Sequence, residues 1–368
     1  MRALRIGIDG RAFTSPAAGI RRYTAGLVRG LLALGEPIEV VALGGPDSSV
    51  LPPGTAHVAE PPHPPTNLGW TLVGLPRAAR RAAVDVIHAP AYTAPLWSTA
   101  PSVVTIHDVS YALHPEWYPY RRDWMRRAFY RCSAHAAAHI LTVSRFSASE
   151  IAAAYHIPPE RITVTPLGVD EGFVPAGASE SRQPTREARP YLLHVGDLHE
   201  RRNLATVVDA MIAVRRSDAR ARNLVLTLVG IDRGVVAALR ARAGDAGAPD
   251  LITHLGTVDE GELTRLYQGA AALVYPSLYE GFGLPLIEAM ATGTPVLAST
   301  AASIPEVLGG AGLLRDPRSP EAGTRAILDV LNDSSRRAQM RSAGLRRAAE
   351  FTWRRTAALT LGVYRRVA

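Results

Sequence analysis

Residues Tyr275–Thr300 read YPSLYEGFGLPLIEAMATGTPVLAST. The apolar run Ala271–Tyr275 stops at Pro276 and reads as a strand. A loop follows with Glu280 and the triplet Gly281-Phe282-Gly283. Pro285 suits the first turn of a helix, where its missing N–H costs nothing. Glu288 lies near the start of that helix, and Pro295–Ala298 begins the next strand. Strand, glycine loop, helix and strand in this order are the repeating unit of an α/β protein.

The same rhythm extends in both directions. Toward the N-terminus the apolar runs are Leu4–Ile8, Ile38–Leu43, Val84–His88, Val103–Ile106, Ile140–Val143 and Ile162–Thr165. Around the quoted stretch they are Tyr191–Val195, Leu224–Val229, Leu251–His254, Ala271–Tyr275 and Pro295–Ala298. Each is short and almost wholly apolar, as befits strands of a parallel sheet covered by helices on both faces. Pro175–Arg189 (PAGASESRQPTREAR) breaks the rhythm and reads as a linker. The expected division is a first domain over 1–175, a linker over 176–189 and a second domain over 190–350. An amphipathic helix is expected within 351–368. A further Pro-rich loop is expected at Glu60–Asn67.

Composition narrows the chemistry. All 41 basic residues of the 368 are Arg, because the sequence contains no Lys, and the net charge is +8. A pyridoxal-phosphate enzyme, a Schiff-base aldolase and a Walker A nucleotide loop all need a Lys. The single Cys132 rules out an internal disulfide or a cysteine zinc cluster. No run of about 18 apolar residues suggests a membrane span, and Asp9 and Arg11 interrupt the first apolar run where a signal peptide would continue. A cytoplasmic location is expected. The mild positive charge suits anionic ligands and gives no reason to expect nucleic acid.

Glu280 and Glu288 bracket a glycine loop that opens a helix. Glycines let backbone N–H groups approach a ligand, and a helix N-terminus favours an anion. Carboxylates beside an anion site suit the neutral hydroxyls of a sugar and a ribose. EGFGLPLIEAMATGTPV, from Glu280 to Val296, resembles the E-x7-E segment of retaining glycosyltransferases of family 4 (group 1), which have the GT-B fold. The resemblance runs along the chain in order: IGIDGRAFTSPAAGIRRYT, VVTIHDVSYALHPEWYP, ILTVSRFSASEI, VTPLGVDEGF, YLLHVGDLHERRNLATVVDAM and HLGTVDEGELTRLYQGAAALVYPSLYEGFG.

The resemblance implies two Rossmann-like domains facing across a cleft, an acceptor domain first and a nucleotide-sugar domain second. The helix of 351–368 would return to the first domain. It implies that Glu280 contacts the transferred sugar and Glu288 the ribose. Backbone groups of Gly281, Phe282, Gly283 and Leu284 would hold sugar hydroxyls and phosphate. Arg201 and Arg202 would bind the diphosphate, with Arg202 where relatives carry Lys. His107 would contact the donor sugar, Gly19 would let the backbone reach the diphosphate, and Val258 would meet the base. Some relatives have an Arg where Asp197 stands here, so that contact is absent or supplied elsewhere. His107, Glu280 and Arg202 are the expected catalytic residues.

HDVSYALHPEWYP resembles mannosyltransferases of polysaccharide assembly, so GDP-mannose is the first expected donor, with UDP-glucose and UDP-N-acetylglucosamine as alternatives. The expected acceptor is a glycan or a lipid-linked glycan, and no cofactor is expected. A non-enzymatic two-lobed sugar- or nucleotide-binding protein is the rival reading. The chain has no D-x-D motif, so no metal is expected. His135 and His139, four apart on an expected helix, lack a third ligand. Trp117–Arg131 mixes aromatics with arginines and would allow peripheral contact with a membrane surface, although the arginines spread around a helix and form no single stripe.

Overall fold

The computed structural model describes residues 2–60, 66–118, 123–177 and 189–368. Residues 178–188 of the expected linker, residues 61–65 of the Pro-rich loop and residues 119–122 of the aromatic–arginine segment lie outside the described residues. The chain divides into two compact units. One is Met1–Gly168 together with Phe351–Ala368, and the other is Val169–Glu350.

The first unit holds a seven-stranded sheet of β1 (Leu4–Asp9), β2 (Ile38–Leu43), β3 (Ala56–Val58), β4 (Val86–Ala89), β5 (Ser102–Thr105), β6 (His139–Thr142) and β7 (Ile162–Val164). All pairs are parallel and the order is β3-β2-β1-β4-β5-β6-β7. The central strands β4, β5 and β6 are buried along their whole length, which explains their unbroken apolar character. The helix Ala18–Leu32 buries Tyr23, Leu27 and Leu31. The helix Trp353–Val367 packs on it. Gly26, Gly30 and Gly168 make that packing possible, because a side-chain carbon at any of them would overlap Trp353.

The second unit holds β8 (Tyr191–Val195), β9 (Val225–Val229), β10 (Ile252–Gly256), β11 (Ala272–Tyr275), β12 (Val296–Ser299) and β13 (Leu313–Arg315). Its strands are also parallel, in the order β10-β9-β8-β11-β12-β13. Residues 169–174, expected in the first domain, belong to this unit. Thr264 Oγ1 donates to the Gly172 carbonyl (3.3 Å), Gln268 Nε2 donates to the Val174 carbonyl (2.8 Å), and the Phe173 ring meets Tyr267 edge-on.

Each sheet has one point where chain order reverses direction, between β1 and β4 in the first unit and between β8 and β11 in the second. Loops leaving the carboxyl ends of strands at such a point diverge and leave a crevice, the usual ligand position in open α/β sheets. Among the described residues, no helix is long and apolar enough to cross a membrane.

Candidate active site

The loop after β8 starts with Gly196, whose φ of +131° is a conformation that L side chains rarely adopt. A side-chain carbon there would also crowd Arg202 Nη2. Glu200–Arg202 forms one short turn, and Asn203 ends it in the left-handed region. The Asn203 side chain donates to the carbonyls of Pro276 (3.4 Å) and Pro317 (2.5 Å) and accepts from Thr206 Oγ1 (2.9 Å). Leu278 N donates to the Arg201 carbonyl at 2.9 Å, so the loops after β8 and β11 are tied together.

Glu280 sits in the β11 loop. Ser303 Oγ donates to its carbonyl at 2.9 Å, and Ser299 Oγ donates to the Ser277 carbonyl at 2.6 Å. Side chains of the following segment therefore fix the loop backbone. Gly283 has φ +95° and precedes the helix Leu284–Thr292, which has Pro285 in its first turn and no side-chain cap. Its leading N–H groups and helix dipole favour an anion there.

The structure pairs Arg202 with Glu280. The guanidinium meets the carboxylate through Nη1, and both residues are buried, 7% and 6% exposed. Arg202 Nη1 also donates to Tyr275 Oη (2.8 Å) and Ser277 Oγ (3.4 Å), and Nε donates to the Asp197 carbonyl (3.3 Å). Its cation lies 5.4 Å from the Tyr275 ring centroid. Arg201 Nε donates to His199 Nε2 at 2.9 Å. Burial and then the charges of Arg201, Arg202 and Arg233 hold His199 down to about 3, so it accepts as the neutral ring. Asp197 Oδ2 accepts from Arg233 Nη2 at 2.8 Å. A cation thus stands beside this position from another part of the chain.

Glu288 is 2% exposed, and its Oε2 accepts from Tyr267 Oη at 2.7 Å. Val258 lies beyond the edge strand β10, three strands across the sheet from β11, so it does not join the Arg202–Glu280 cluster.

In the first unit, His107 follows β5. Its Nε2 lies 2.9 Å from the Pro90 carbonyl, which can only accept, so Nε2 carries the proton. Burial lowers the pKa of the ring, partly offset by the Pro90 carbonyl and Asp108. The neutral ring thus keeps Nδ1 as an acceptor. Tyr23 and Tyr92 meet it edge-on, with centroids 4.9 and 5.9 Å away. Tyr92 adopts φ +58°, an unusual backbone for a non-glycine residue and one that clusters at functional sites. Gly19 is the second residue of the helix Ala18–Leu32, and the space where its side chain would start is open. A pocket within this unit, lined in part by Asp9, Arg11, Asn67, Tyr92 and Tyr130, opens beside β1 and β4.

Two protein-family models match this chain, "Glycosyltransferase Family 4" over residues 17–173 and "Glycosyl transferases group 1" over residues 178–347. O-antigen chain mannosyltransferase B of Escherichia coli is 33% identical over 270 residues, 72% of this chain and 70% of that protein. The chain belongs to the group 1 glycosyltransferases of family 4. An MMP alpha-(1->4)-mannosyltransferase of Mycolicibacterium hassiacum is 36% identical over 238 residues, 63% of this glycosyltransferase and 54% of that protein. The glycosyltransferase shares its fold with sucrose-phosphate synthase of Thermosynechococcus elongatus (TM-score 0.80, 22% identity, 99% of each chain). HepE of Anabaena, solved with UDP and glucose, has the same fold (TM-score 0.76, 18% identity, 99% and 100% of the chains).

The structure corrects one further sequence reading and adds to the site. His139 is not on a helix with His135. The helix Trp124–Ala136 ends before it, and His139 opens β6. His135 Nε2 bonds the Tyr155 carbonyl (2.9 Å), whereas His139 Nε2 bonds Thr163 Oγ1 (2.8 Å). Among the described residues, no group of three His, Cys, Asp or Glu could hold a metal. Gly196, Tyr267, Tyr275 and Ser277 were not foreseen. Only the left-handed demand at Gly196, directly after an apolar run, had a local signal.

Proposed function

We propose that this glycosyltransferase transfers a hexose with retention from a nucleotide sugar, GDP-mannose first, to a glycan or a lipid-linked glycan. The observation that carries the reading is the Arg202–Glu280 pair at the β8/β11 reversal, ahead of the uncapped helix Leu284–Thr292. The leaving diphosphate would meet Arg201, Arg202 and that helix N-terminus. Arg202 Nη2 makes no hydrogen bond with the described residues, which leaves two donors for phosphate oxygens. Glu280 would turn from Arg202 toward the sugar hydroxyls, Glu288 would take the ribose, and the backbone of Gly281–Leu284 would hold the rest of the donor. Gly19, Val258 and His107 keep the roles expected above, with His107 Nδ1 accepting a hydroxyl proton of the sugar in a hydrogen bond.

In the reaction, the C1–oxygen bond to the diphosphate breaks and a C1–oxygen bond to the acceptor forms on the same face. The acceptor proton passes to the departing diphosphate oxygen. Cationic donors at that oxygen lower the barrier because charge accumulates there. No metal ion is required by this scheme.

Mannosyltransferase relatives support mannose as the sugar. UDP-glucose is the second reading, supported by HepE, whose structure holds UDP and glucose. Contact with a membrane surface is supported by Trp124 and Met125, which are 68% and 65% exposed beside Arg126 and Arg127. The test is binding and slow hydrolysis of GDP-mannose, UDP-glucose and UDP-N-acetylglucosamine. Saturable binding and hydrolysis of GDP-mannose are expected. Preference for a UDP-sugar would replace the donor assignment, and binding of none would sink the enzyme reading.

A further inference from the structure

The carboxyl end of β5 carries a buried polar chain that the reaction scheme does not use. Tyr364, on the helix Trp353–Val367, places its Oη 2.6 Å from His88 Nδ1. His88 Nε2 lies 2.8 Å from Thr105 Oγ1, and the same hydroxyl lies 2.7 Å from Tyr23 Oη. All four side chains are fully buried. Burial holds His88 down to about 3, so it is neutral, with one donor and one acceptor nitrogen.

The protons can be assigned by elimination. Among the described residues, His88 Nδ1 is the only hydrogen-bond partner of the Tyr364 hydroxyl, and a buried O–H without an acceptor is costly. Tyr364 therefore donates to Nδ1. Nε2 must then carry the His88 proton and donate to Thr105. Thr105 shares its remaining hydrogen bond with Tyr23.

Thr105 also governs both rings that flank His107. Its side chain anchors Tyr23, which meets the imidazole at 4.9 Å and 87°. Its carbonyl accepts Tyr92 N at 2.9 Å, and the Tyr92 ring meets His107 edge-on with centroids 5.9 Å apart. We propose that Tyr364, His88, Thr105 and Tyr23 form a positioning relay that fixes the plane of His107 and so the aim of its acceptor Nδ1. This rests on the reading of His107 as a group that contacts the donor sugar. Loss of the Tyr364 hydroxyl leaves both His88 tautomers accessible, so Thr105 no longer has one fixed hydrogen-bonding state. The Tyr23 clamp then loosens without any change to a residue that touches substrate.

The test measures kcat and KM for hydrolysis of whichever donor in the three-sugar panel is turned over. His107→Ala, Tyr364→Phe and the double variant are compared, with thermal midpoints recorded. His107→Ala is expected to lower kcat. Tyr364→Phe is expected to lower kcat by on the order of fivefold at unchanged KM, the scale of one hydrogen bond, and to add nothing in the His107→Ala background. A purely structural Tyr364 would lower the midpoint and leave kcat intact, or its effect would add to that of His107→Ala; either result overturns the relay. If Tyr364→Phe does not fold, Thr105→Val is judged by the same criteria. Unchanged kcat in His107→Ala would instead overturn the His107 assignment, and the relay with it.

Discussion

Arg202 and Glu280 form a buried ion pair between the loops that leave β8 and β11. Removing one member of a buried pair strands the other charge, at a cost of about 3–5 kcal/mol. Glu280→Ala should therefore lower stability by that order, whereas Glu280→Gln keeps an acceptor and should cost less. Both should lose most donor turnover. Arg202→Lys should lose at least about tenfold in kcat, because the three donors of one ammonium cannot serve Tyr275, the Asp197 carbonyl and two phosphate oxygens together. Urea unfolding and donor hydrolysis check these outcomes. Equal turnover in Arg202→Lys would show that only the charge matters.

Glu288 is held by Tyr267 at 2.7 Å. Glu288→Ala should weaken binding of the free nucleoside diphosphate more than it changes turnover at saturating donor. Tyr267→Phe should produce the same effect in smaller measure, about fivefold or less, since only one hydrogen bond is lost. Titration calorimetry with GDP and UDP measures both. Unaltered affinity in Glu288→Ala would remove the ribose assignment.

His88 and His194 are both pushed down to about 3, chiefly by burial. The folded chain keeps them neutral, while the unfolded chain takes up protons below about 6.5. Stability should accordingly fall as pH drops from about 6.5 toward 3, by at most about 1.4 kcal/mol per pH unit for each group. His194→Gln should flatten the dependence of the second unit's unfolding by one group's share. A slope unchanged by that replacement would show that His194 titrates normally in the folded chain.

Gly30 lies where the backbone of Trp353 passes, so Gly30→Ala cannot be relieved by a side-chain rotation. A loss of about 1–3 kcal/mol is expected, the usual cost of overpacking. The unfolding transition of the first unit should shift and that of the second should not, which differential scanning calorimetry can resolve.

The strands were legible because parallel strands buried on both faces must be apolar throughout. Ile38–Leu43 and Tyr191–Val195 are strands at the residues expected from sequence. The strands β3 and β13 escaped notice because His57 interrupts the first and Arg315 ends the second after two leucines, whereas β7, an equally short and half-buried edge strand, was legible from its β-branched residues Ile162, Thr163 and Val164. Glu280, Gly283, Pro285 and Glu288 could be read together because they share one loop and helix. The partners Tyr267, Tyr275 and Ser277 could not, because side-chain pairing across strands leaves no local pattern. His88 was visible as the end of an apolar run. Its bond to Tyr364 joins residues 276 apart, a distance no periodicity bridges.

The chain leaves the first unit at Gly168 and re-enters it at Phe351. On the ribosome, the whole second unit is therefore synthesised before Trp353 can fill the space over Gly26, Gly30 and Gly168 or Tyr364 can reach His88. The nascent first unit must wait with its glycine groove open while the second unit, contiguous in sequence, can fold ahead of it. Domains usually complete in order of synthesis. Here the unit that begins first is the one that can close only after the other has been made, and the hydroxyl that begins the relay to His107 follows the whole second unit in synthesis.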